Sequence, residues 1–284
     1  MEQPLRRGLV LGGGGITGIA WETGMLLGLR EAGVDLTTAD LVVGTSAGSA
    51  VGAQLVSGTE LESLYDHQVR PHPEDEPPVP KANGQVVLGF LRALVLARGD
   101  LEAFGREVGC WSVRRSAAGH TEAVEEKYAE VRDRLPHLAW PPTRHLLVTA
   151  VDALNGRRRV FDGSTGVSLL DAVTASCAVP GVYPPVLIDG RLYVDGGVHS
   201  TANADLARGC DRVVALAPMP HGYGLLRSPA EELEGVLSTV LAPDVLARKV
   251  VGHNILDPAA RIASARAGRT QGLSVTGGVV DLWR

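Results

Sequence analysis

The segment Gly44-Thr45-Ser46-Ala47-Gly48 constrains the fold of this chain more than any other part of the sequence. The apolar run 41–43 precedes it, and the small residues of 50–56 follow it. This order predicts a strand, a sharp turn and a helix, which is the context that a Gly-x-Ser-x-Gly match needs before it indicates a nucleophile. Because a free serine hydroxyl is a poor nucleophile, Ser46 would also need a base and hydrogen-bond donors for an oxyanion.

A second glycine-rich segment, Gly12-Gly13-Gly14-Gly15-Ile16-Thr17-Gly18, also lies between a predicted strand and a predicted helix. This glycine loop contains a Gly-x-Gly-x-x-Gly pattern, which occurs in dinucleotide sites when an acidic residue ends a second strand about 20 residues later. Asp35 and Asp40 have nearly that spacing, but neither follows a strand. The pattern therefore favours the other use of such a loop, in which consecutive backbone N–H groups hold a developing oxyanion.

The base for Ser46 is harder to find in the sequence. A Ser-His-Asp arrangement would need a histidine downstream, but none of the candidates, His199, His221 and His253, lies in a convincing strand-end loop. The segment 218–222 around His221 is compatible with a loop over the site. Asp195 lies directly after a predicted hairpin strand, and two glycines that permit a close approach follow it. Asp-Gly is also common in hairpin turns, so this residue alone is compatible with a turn aspartate or a base.

Three motifs in this order resemble the patatin-like phospholipase family: the glycine loop, the Ser46 motif and Asp195-Gly196-Gly197. The segment 175–185, Ala-Ser-Cys-Ala-Val-Pro-Gly-Val-Tyr-Pro-Pro, resembles that family's approach to its aspartate. The similarity covers about Leu9 to Leu216, apart from a helical insertion. Three spaced motifs are far more specific than any single one of them.

The resemblance implies a Ser–Asp dyad that uses no histidine. Ser46 would be the nucleophile and Asp195 its proton acceptor, while the backbone N–H groups of Gly13, Gly14 and Gly15 would form the oxyanion hole. The other motif glycines are Gly18, Gly44, Gly48, Gly196 and Gly197. The resemblance implies no metal and no cofactor.

Two positions depart from the family's pattern. Thr17 stands where the family's glycine loop commonly carries a basic residue, which puts a preference for phospholipid head groups in doubt more than the acyl chemistry. After Gly197 the family often has an Asn-rich stretch with proline, whereas this chain has Val198-His199-Ser200-Thr201-Ala202-Asn203. Whether Asn203 has the same structural role is therefore open.

The alternation of apolar strands with helical patterns predicts one α/β domain over residues 1–284. We expect a three-layer α/β/α sandwich with a mainly parallel central sheet and a helical insertion at about 84–135. We also expect a hairpin that turns at Asp189-Gly190, and C-terminal helices within 230–268, at 230–251 and 257–267. Five prolines in residues 71–80 predict an exposed loop.

Composition limits the remaining possibilities. The net charge of −5 gives no reason to expect a nucleic-acid partner. Three scattered cysteines argue against a disulfide framework and a zinc site. The N-terminal apolar run is too short for a signal peptide, and no stretch approaches the roughly 20 apolar residues of a spanning helix, so a cytoplasmic location is expected.

The apolar segment 86–96 has two interpretations. It is either a lid or membrane-docking helix, which would give the protein a peripheral membrane contact, or a packing helix that is buried on all sides. The predicted function is a serine acyl hydrolase of the lipase, phospholipase A or lysophospholipase type that acts on a lipid or other ester. The alternatives are an acyltransferase that uses the same acyl-enzyme and a catalytically silent binding protein.

Overall fold

The computed structural model describes residues 5–71, 84–116, 120–135, 137–141, 144–275 and 277–283. The strands are β1 Arg7–Leu11, β2 Leu41–Thr45, β3 His145–Asp152, β4 Arg158–Phe161, β5 Val186–Ile188, β6 Arg191–Asp195, β7 Arg212–Leu216 and β8 Ser238–Leu241. The helices are α1 Gly15–Glu31, α2 Ala47–Val56, α3 Leu61–Val69, α4 Gly84–Ala97, α5 Leu101–Ser116, α6 His120–Arg134, α7 Leu169–Ser176, α8 Pro229–Glu232, α9 Val245–Val251, α10 Arg261–Ser274 and α11 Gly277–Trp283. Residues 72–80, which carry most of the predicted proline-rich loop, lie outside the described residues.

The eight strands form one sheet whose hydrogen-bonded path is β5-β6-β3-β2-β1-β7-β8, with β4 also paired to β3. The five strands from β3 to β8 along this path are parallel. Strands β4, β5 and β6 add antiparallel pairs at the β3 end. The predicted α/β class with a mainly parallel central sheet is confirmed, and so is the hairpin, since β5 and β6 turn at Asp189-Gly190.

The parallel strands are apolar on both faces because both faces are covered. On one face, residues such as Leu9 and Val42 belong to a core that includes buried residues of α1, α2, α7 and α10. On the other face, Val10 and Val43 share a core with the 3-10 turn at 204–207 and with Leu233, which follows α8. The α4–α5 pair covers Val151 of β3 on a third, smaller core. These layers form the expected three-layer arrangement.

The register of β3 brings two strand ends together. Thr149 pairs with Thr45 of β2 and with β4 at the same time, so β2 and β4 lie on opposite sides of β3. Ala150 pairs with β4 and with Asp195 of β6, so β6 lies on the side that β2 occupies. Strand β2 therefore ends at Thr45 where β6 ends at Asp195, one register position apart beside β3.

The predicted helical insertion is present as α4, α5 and α6, which lie between α3 and β3 along the chain. Gly105 and Gly109 of α5 lie so close to residues 153–156 that a Cβ on either glycine would overlap the backbone there. Residues 153–156 follow the C-terminal end of β3. The close packing therefore places the α4–α5 pair at the edge of the sheet where the parallel strands end.

The prediction of one helix over 230–251 is wrong for its middle part, where the strand β8 lies between α8 and α9. The short helix α8 ends at Glu232, Gly235 adopts a left-handed φ of 81°, and β8 then pairs in parallel with β7. The β-branched residues Thr239 and Val240 favour an extended backbone, and the open edge of β7 gives that backbone hydrogen-bond partners. The second expected helix, 257–267, begins instead at Arg261 and extends to Ser274.

Within the described residues, every helix is too short or too polar to cross a membrane.

Helices α1 and α10 pack closely against each other through small residues. Gly24 and Gly28 of α1 face the α10 backbone, and Gly268 and Gly272 of α10 face the α1 backbone. A Cβ on Gly268 would overlap the carbonyl oxygen of Trp21. The Trp21 indole N–H, 3.1 Å from Gln271 Oε1, adds a buried hydrogen bond between the two helices.

We predict that Gly268→Ala lowers the free energy of unfolding by about 1–3 kcal/mol, because the new methyl group forces the two helices apart. Gly278→Ala in α11 is the matched control, since a Cβ there meets nothing within 4 Å. Denaturant unfolding of both variants checks the prediction. Equal stability of the two variants would contradict the close packing of α1 on α10.

Candidate active site

Ser46 occupies a strained turn between β2 and α2. Its φ of 52° and ψ of −118° lie in a region that side-chain-bearing residues seldom adopt. The strained backbone is fixed from two directions: the Ser46 N–H donates to Ser176 Oγ at 2.9 Å, and the Ser46 carbonyl accepts from Cys177 Sγ at 3.2 Å. Both partners lie at the C-terminal end of α7, so this helix holds the turn in place.

The two motif glycines of this turn are required by close backbone approaches. A Cβ on Gly44 would lie 2.6 Å from Ser49 Cα, and a Cβ on Gly48 would overlap the carbonyl group of Leu11 at the end of β1. The first turn of α2 therefore packs directly on the ends of β1 and β2. Gly18 plays a milder part, because a Cβ there would lie 3.4 Å from Ala47 Cβ.

Asp195 lies within hydrogen-bond distance of Ser46. The Ser46 hydroxyl donates to Asp195 Oδ2 at 2.7 Å, and the Gly197 N–H donates to Asp195 Oδ1 at 2.7 Å. The Asp195 N–H donates to the Ala178 carbonyl at 3.0 Å. Gly196 must be a glycine because a Cβ would overlap Thr149. The carboxylate is thus oriented by its own loop and aimed at the serine.

Burial sets the electrostatics of this pair. Both side chains are almost inaccessible, with Ser46 8% and Asp195 4% exposed. Desolvation raises the pKa of Asp195 to about 6, against the lowering effects of hydrogen bonds from Ser46 and Gly197 and of the Lys127 charge. Lys127 is itself buried, with its Nζ 3.1 Å from Glu130 Oε2 and 3.8 Å from the centre of the Tyr183 ring. An aspartate with this pKa can exchange a proton near neutral pH.

The glycine loop lies beside the serine. A Cβ on Gly13 would lie 3.5 Å from Ser46 Cβ and 3.4 Å from Met219 Cε. The Gly13 N–H, however, donates to the Thr201 carbonyl at 2.7 Å, which differs from its expected role as an oxyanion donor. Within the described residues no acceptor pairs with the N–H of Gly14 or Gly15. These two groups are therefore available as donors at the start of α1.

Thr17 is fully buried, and its contacts are structural. Its N–H and its hydroxyl donate to the Ile255 carbonyl at 3.1 and 3.2 Å. Ile255 also lies against Gly15, where a Cβ would come within 2.7 Å of the same carbonyl oxygen. Thr17 therefore ties the segment before α10 to the glycine loop.

Asn203 connects the strands around the site. This buried residue, with a left-handed φ of 51°, donates from Nδ2 to Thr45 Oγ1 at 3.1 Å, Thr149 Oγ1 at 3.2 Å and the Gly196 carbonyl at 3.3 Å. Its Oδ1 accepts from Arg158 at 3.1 Å. Asn203 thus joins the ends of β2 and β3 to the turn that follows the aspartate.

The histidines take no part in this arrangement. None of His199, His221 and His253 shares a hydrogen bond with Ser46 or Asp195 among the described residues. Burial and the nearby Arg158 charge lower the pKa of His199 to about 4. The part of the chain that the structure describes also contains no cluster of three or more His, Cys, Asp or Glu residues that could hold a metal ion.

A family model described as patatin-like phospholipase matches residues 9–208, which is more than half of the chain. The chain belongs to this family. The matched range begins in β1 and ends shortly after Asn203, so it includes the glycine loop, the Ser46 turn and Asp195. The resemblance inferred from the three motifs is therefore confirmed.

Solved structures of similar chains include VipD from Legionella pneumophila, with 13% identity and a TM-score of 0.49 over 99% of this chain and 68% of VipD. The type III effector protein ExoU is 16% identical, with a TM-score of 0.44 over 98% of this chain and 53% of ExoU. ExoU from Pseudomonas aeruginosa, in complex with SpcU, is 15% identical over 100% of this chain and 54% of its own, with a TM-score of 0.42. The chain thus spans about half the length of ExoU.

Several residues around the patatin-like site had no role assigned from the sequence. Ser176 and Cys177 lay within a segment that resembled the family, but nothing there showed that they hold the Ser46 backbone. Lys127 lies in the insertion, 68 residues before Asp195 along the chain. Its influence on the aspartate depends on the packing of α6, which no local motif signals.

We predict that Asp195→Asn stabilises the protein at alkaline pH. The folded state binds the proton more tightly than the unfolded state, whose pKa is near 3.8, so burial of this group costs stability increasingly as pH rises through about 6. Removal of the charge should raise the free energy of unfolding at pH 8 by about 2–3 kcal/mol and change it little at pH 4.

Thermal melts of the parent and of Asp195→Asn between pH 4 and pH 8 check whether the variant gains stability as the pH rises. Asp162→Asn is the control, because hydrogen bonds from Ser164 lower the pKa of Asp162, so its charge contributes stability that is lost as pH falls. The control should therefore not gain stability at pH 8. An Asp195→Asn variant that is less stable than the parent at pH 8 would contradict the account.

Proposed function

We propose that this patatin-like protein is a serine acyl hydrolase that cleaves carboxylic esters of lipids through Ser46 and Asp195. The observation that carries the proposal is the 2.7 Å hydrogen bond from the Ser46 hydroxyl to a buried carboxylate. Membership of the patatin-like phospholipase family supports a lipid substrate. The strained turn of Ser46 supports its role as the nucleophile, because the turn places the hydroxyl at the end of the sheet.

The reaction begins when Asp195 accepts the Ser46 proton and Ser46 Oγ attacks the ester carbonyl carbon. The carbonyl π electrons move to oxygen, and the N–H groups of Gly14 and Gly15 stabilise the resulting oxyanion at the positive end of α1. One such donor is worth about 10²–10³ in rate. The oxyanion collapses, the alcohol leaves with the proton from Asp195, and an acyl-enzyme remains.

Water completes the cycle by the same route. Asp195 accepts a proton from the water, whose oxygen attacks the acyl carbon. Collapse of the second tetrahedral intermediate expels Ser46 Oγ, which takes its proton back from Asp195. A carboxylate with an ordinary pKa would be too weak a base for both acylation and hydrolysis of the acyl-enzyme. The desolvated environment of Asp195 compensates for this weakness.

We predict that Ser46→Ala and Asp195→Asn each reduce ester hydrolysis at least 10³-fold while the protein stays folded. A fluorophosphonate probe should label the parent at Ser46 and should not label Ser46→Ala. A panel of phospholipid, lysophospholipid and short-chain esters then measures the substrate range. His199→Gln is the control and should keep near-parental activity. Loss of activity in this control, or near-normal activity in Asp195→Asn, would contradict the dyad.

We predict that kcat/KM for a substrate that does not itself titrate rises with pH through a single transition near 6 and then stays level. The reason is that Asp195 must be ionised to accept the serine proton, and burial raises its pKa to about 6. Lys127→Gln should move the transition to higher pH, because the Lys127 charge lowers the pKa of Asp195. An unmoved transition, or one near pH 4, would show that a different group titrates.

A further inference from the structure

Helix α4 is apolar on its outward face as well as on its inward face. Val86, Gly89, Ala93 and Ala97 are buried on one side of the helix, where Ala93 and Ala97 share a core with α5. The opposite side presents Val87, Leu88, Leu91 and Val95, which are 58%, 66%, 55% and 75% exposed. We name these four residues the α4 stripe. The expectation of a helix buried on all sides is thus wrong.

The spacing of the stripe makes it one continuous surface. Residues three and four apart are neighbours on a helix, so Val87, Leu91 and Val95 form one row and Leu88 lies beside it. Single exposed apolar residues are ordinary on protein surfaces, but a contiguous row of them indicates an interaction site.

The charges on and beside the stripe are mainly positive, although Glu107 lines the same pocket as Arg92 and Arg114. Helix α4 contains no acidic residue, and its only charged residue, Arg92, is exposed at the side of the stripe. Arg98 follows the helix, and the exposed Arg114 lies near Arg92 at the α4–α5 boundary. Within the described residues, none of these three arginines is paired in a salt bridge. The whole chain has a net charge of −5. This arrangement suits a surface that is both apolar and anionic.

The position of α4 connects the stripe to the candidate active site. Near its N-terminal end, Val86 lies against Gly181, where a Cβ would come within 3.1 Å of Val86 Cγ2. Near its C-terminal end, Leu94 lies against Gly224, where a Cβ would come within 2.8 Å of Leu94 Cδ1. Gly181 follows Ala178, which accepts the Asp195 N–H. Gly224 follows the segment that places Met219 against Gly13, the glycine that lies beside Ser46. Helix α4 therefore spans the two segments that flank the dyad.

We propose that the α4 stripe inserts into the surface of an anionic lipid bilayer and so brings the Ser46 site to its substrate. This inference rests on the proposed function, because it names the surface through which the proposed lipid hydrolase would contact the bilayer that contains its substrate. A helix with one apolar face and arginines at its sides binds in the interface plane of a bilayer, where apolar side chains enter the acyl region and cations meet anionic head groups.

Two other partners that could cover the α4 stripe, a second copy of the chain and the segment before α4, fit less well. A stable contact between two copies of a chain needs about 800 Å² and some 20–30 residues from each partner, which is far more than one row of four side chains. The chain immediately before α4, residues 72–83, contains a single large aliphatic residue, Val79, together with three acidic ones. By composition it cannot match the four apolar side chains of the stripe.

Vesicle binding tests the inference without relying on catalysis. The 284-residue chain with Ser46→Ala should co-sediment with vesicles of phosphatidylcholine and phosphatidylglycerol at a 7:3 ratio. Addition of Leu91→Glu and Val95→Glu should reduce the bound fraction at least tenfold. Leu154→Glu with Leu187→Glu is the matched control, because these exposed residues lie on other elements and should leave binding unchanged. Arg92→Gln with Arg98→Gln should weaken binding to these vesicles more than binding to pure phosphatidylcholine.

Activity separates this inference from the proposed function. In the Ser46 background, Leu91→Glu with Val95→Glu should reduce hydrolysis of vesicle lipid at least tenfold and leave hydrolysis of a soluble short-chain ester unchanged. Equal vesicle binding by the stripe variant and the control would overturn the inference, and so would a dimer on size-exclusion chromatography that the stripe variant abolishes. If the parent hydrolyses no ester but the stripe variant still loses vesicle binding, the proposed function fails and the docking surface stands.

Discussion

The hydrogen bond between Ser46 and Asp195 is the contact on which the rest of the site depends, and the register of β3 creates it. Strand β2 runs parallel to β3 and β6 runs antiparallel to it on the same side, so their C-terminal ends meet. Ser46 directly follows the last residue of β2, and Asp195 is the last residue of β6, so both lie at this meeting point. A shift of either strand by one residue would turn the side chain to the other face of the sheet and separate the pair.

The buried polar groups around the pair make this register specific. Thr45, Thr149 and Asn203 form a hydrogen-bonded cluster that joins β2, β3 and the turn after the aspartate. In a low-dielectric interior such groups are costly when unpaired, so an alternative register would lose several hydrogen bonds at once. The same low dielectric raises the pKa of Asp195. One physical condition, exclusion of water, therefore both specifies the geometry and tunes the base.

Local patterns predicted the elements that local chemistry controls. The strand–turn–helix at Ser46, the glycine loop at the start of α1 and the hairpin at Asp189-Gly190 all depend on close approaches or turns that only certain residues permit. The errors arose where a partner decides the outcome. Strand β8 forms because the edge of β7 is available, and the Gly13 N–H is occupied because Thr201 approaches it from a distant part of the chain.

The sequence by itself determined the fold class and the family, because the glycine spacing of its three motifs is a local steric requirement. The resemblance to that family, and not the local pattern around Asp195, supplied Ser46 and Asp195 as the two residues proposed to react. The sequence left open which glycine N–H groups are free, how Asn203 is used and which side of α4 faces solvent. Only the tertiary structure decided these points, since each depends on which groups are hydrogen-bonded or buried by segments far away in the chain. The same holds for the basicity of Asp195, because desolvation is a property of the packed interior and not of any motif.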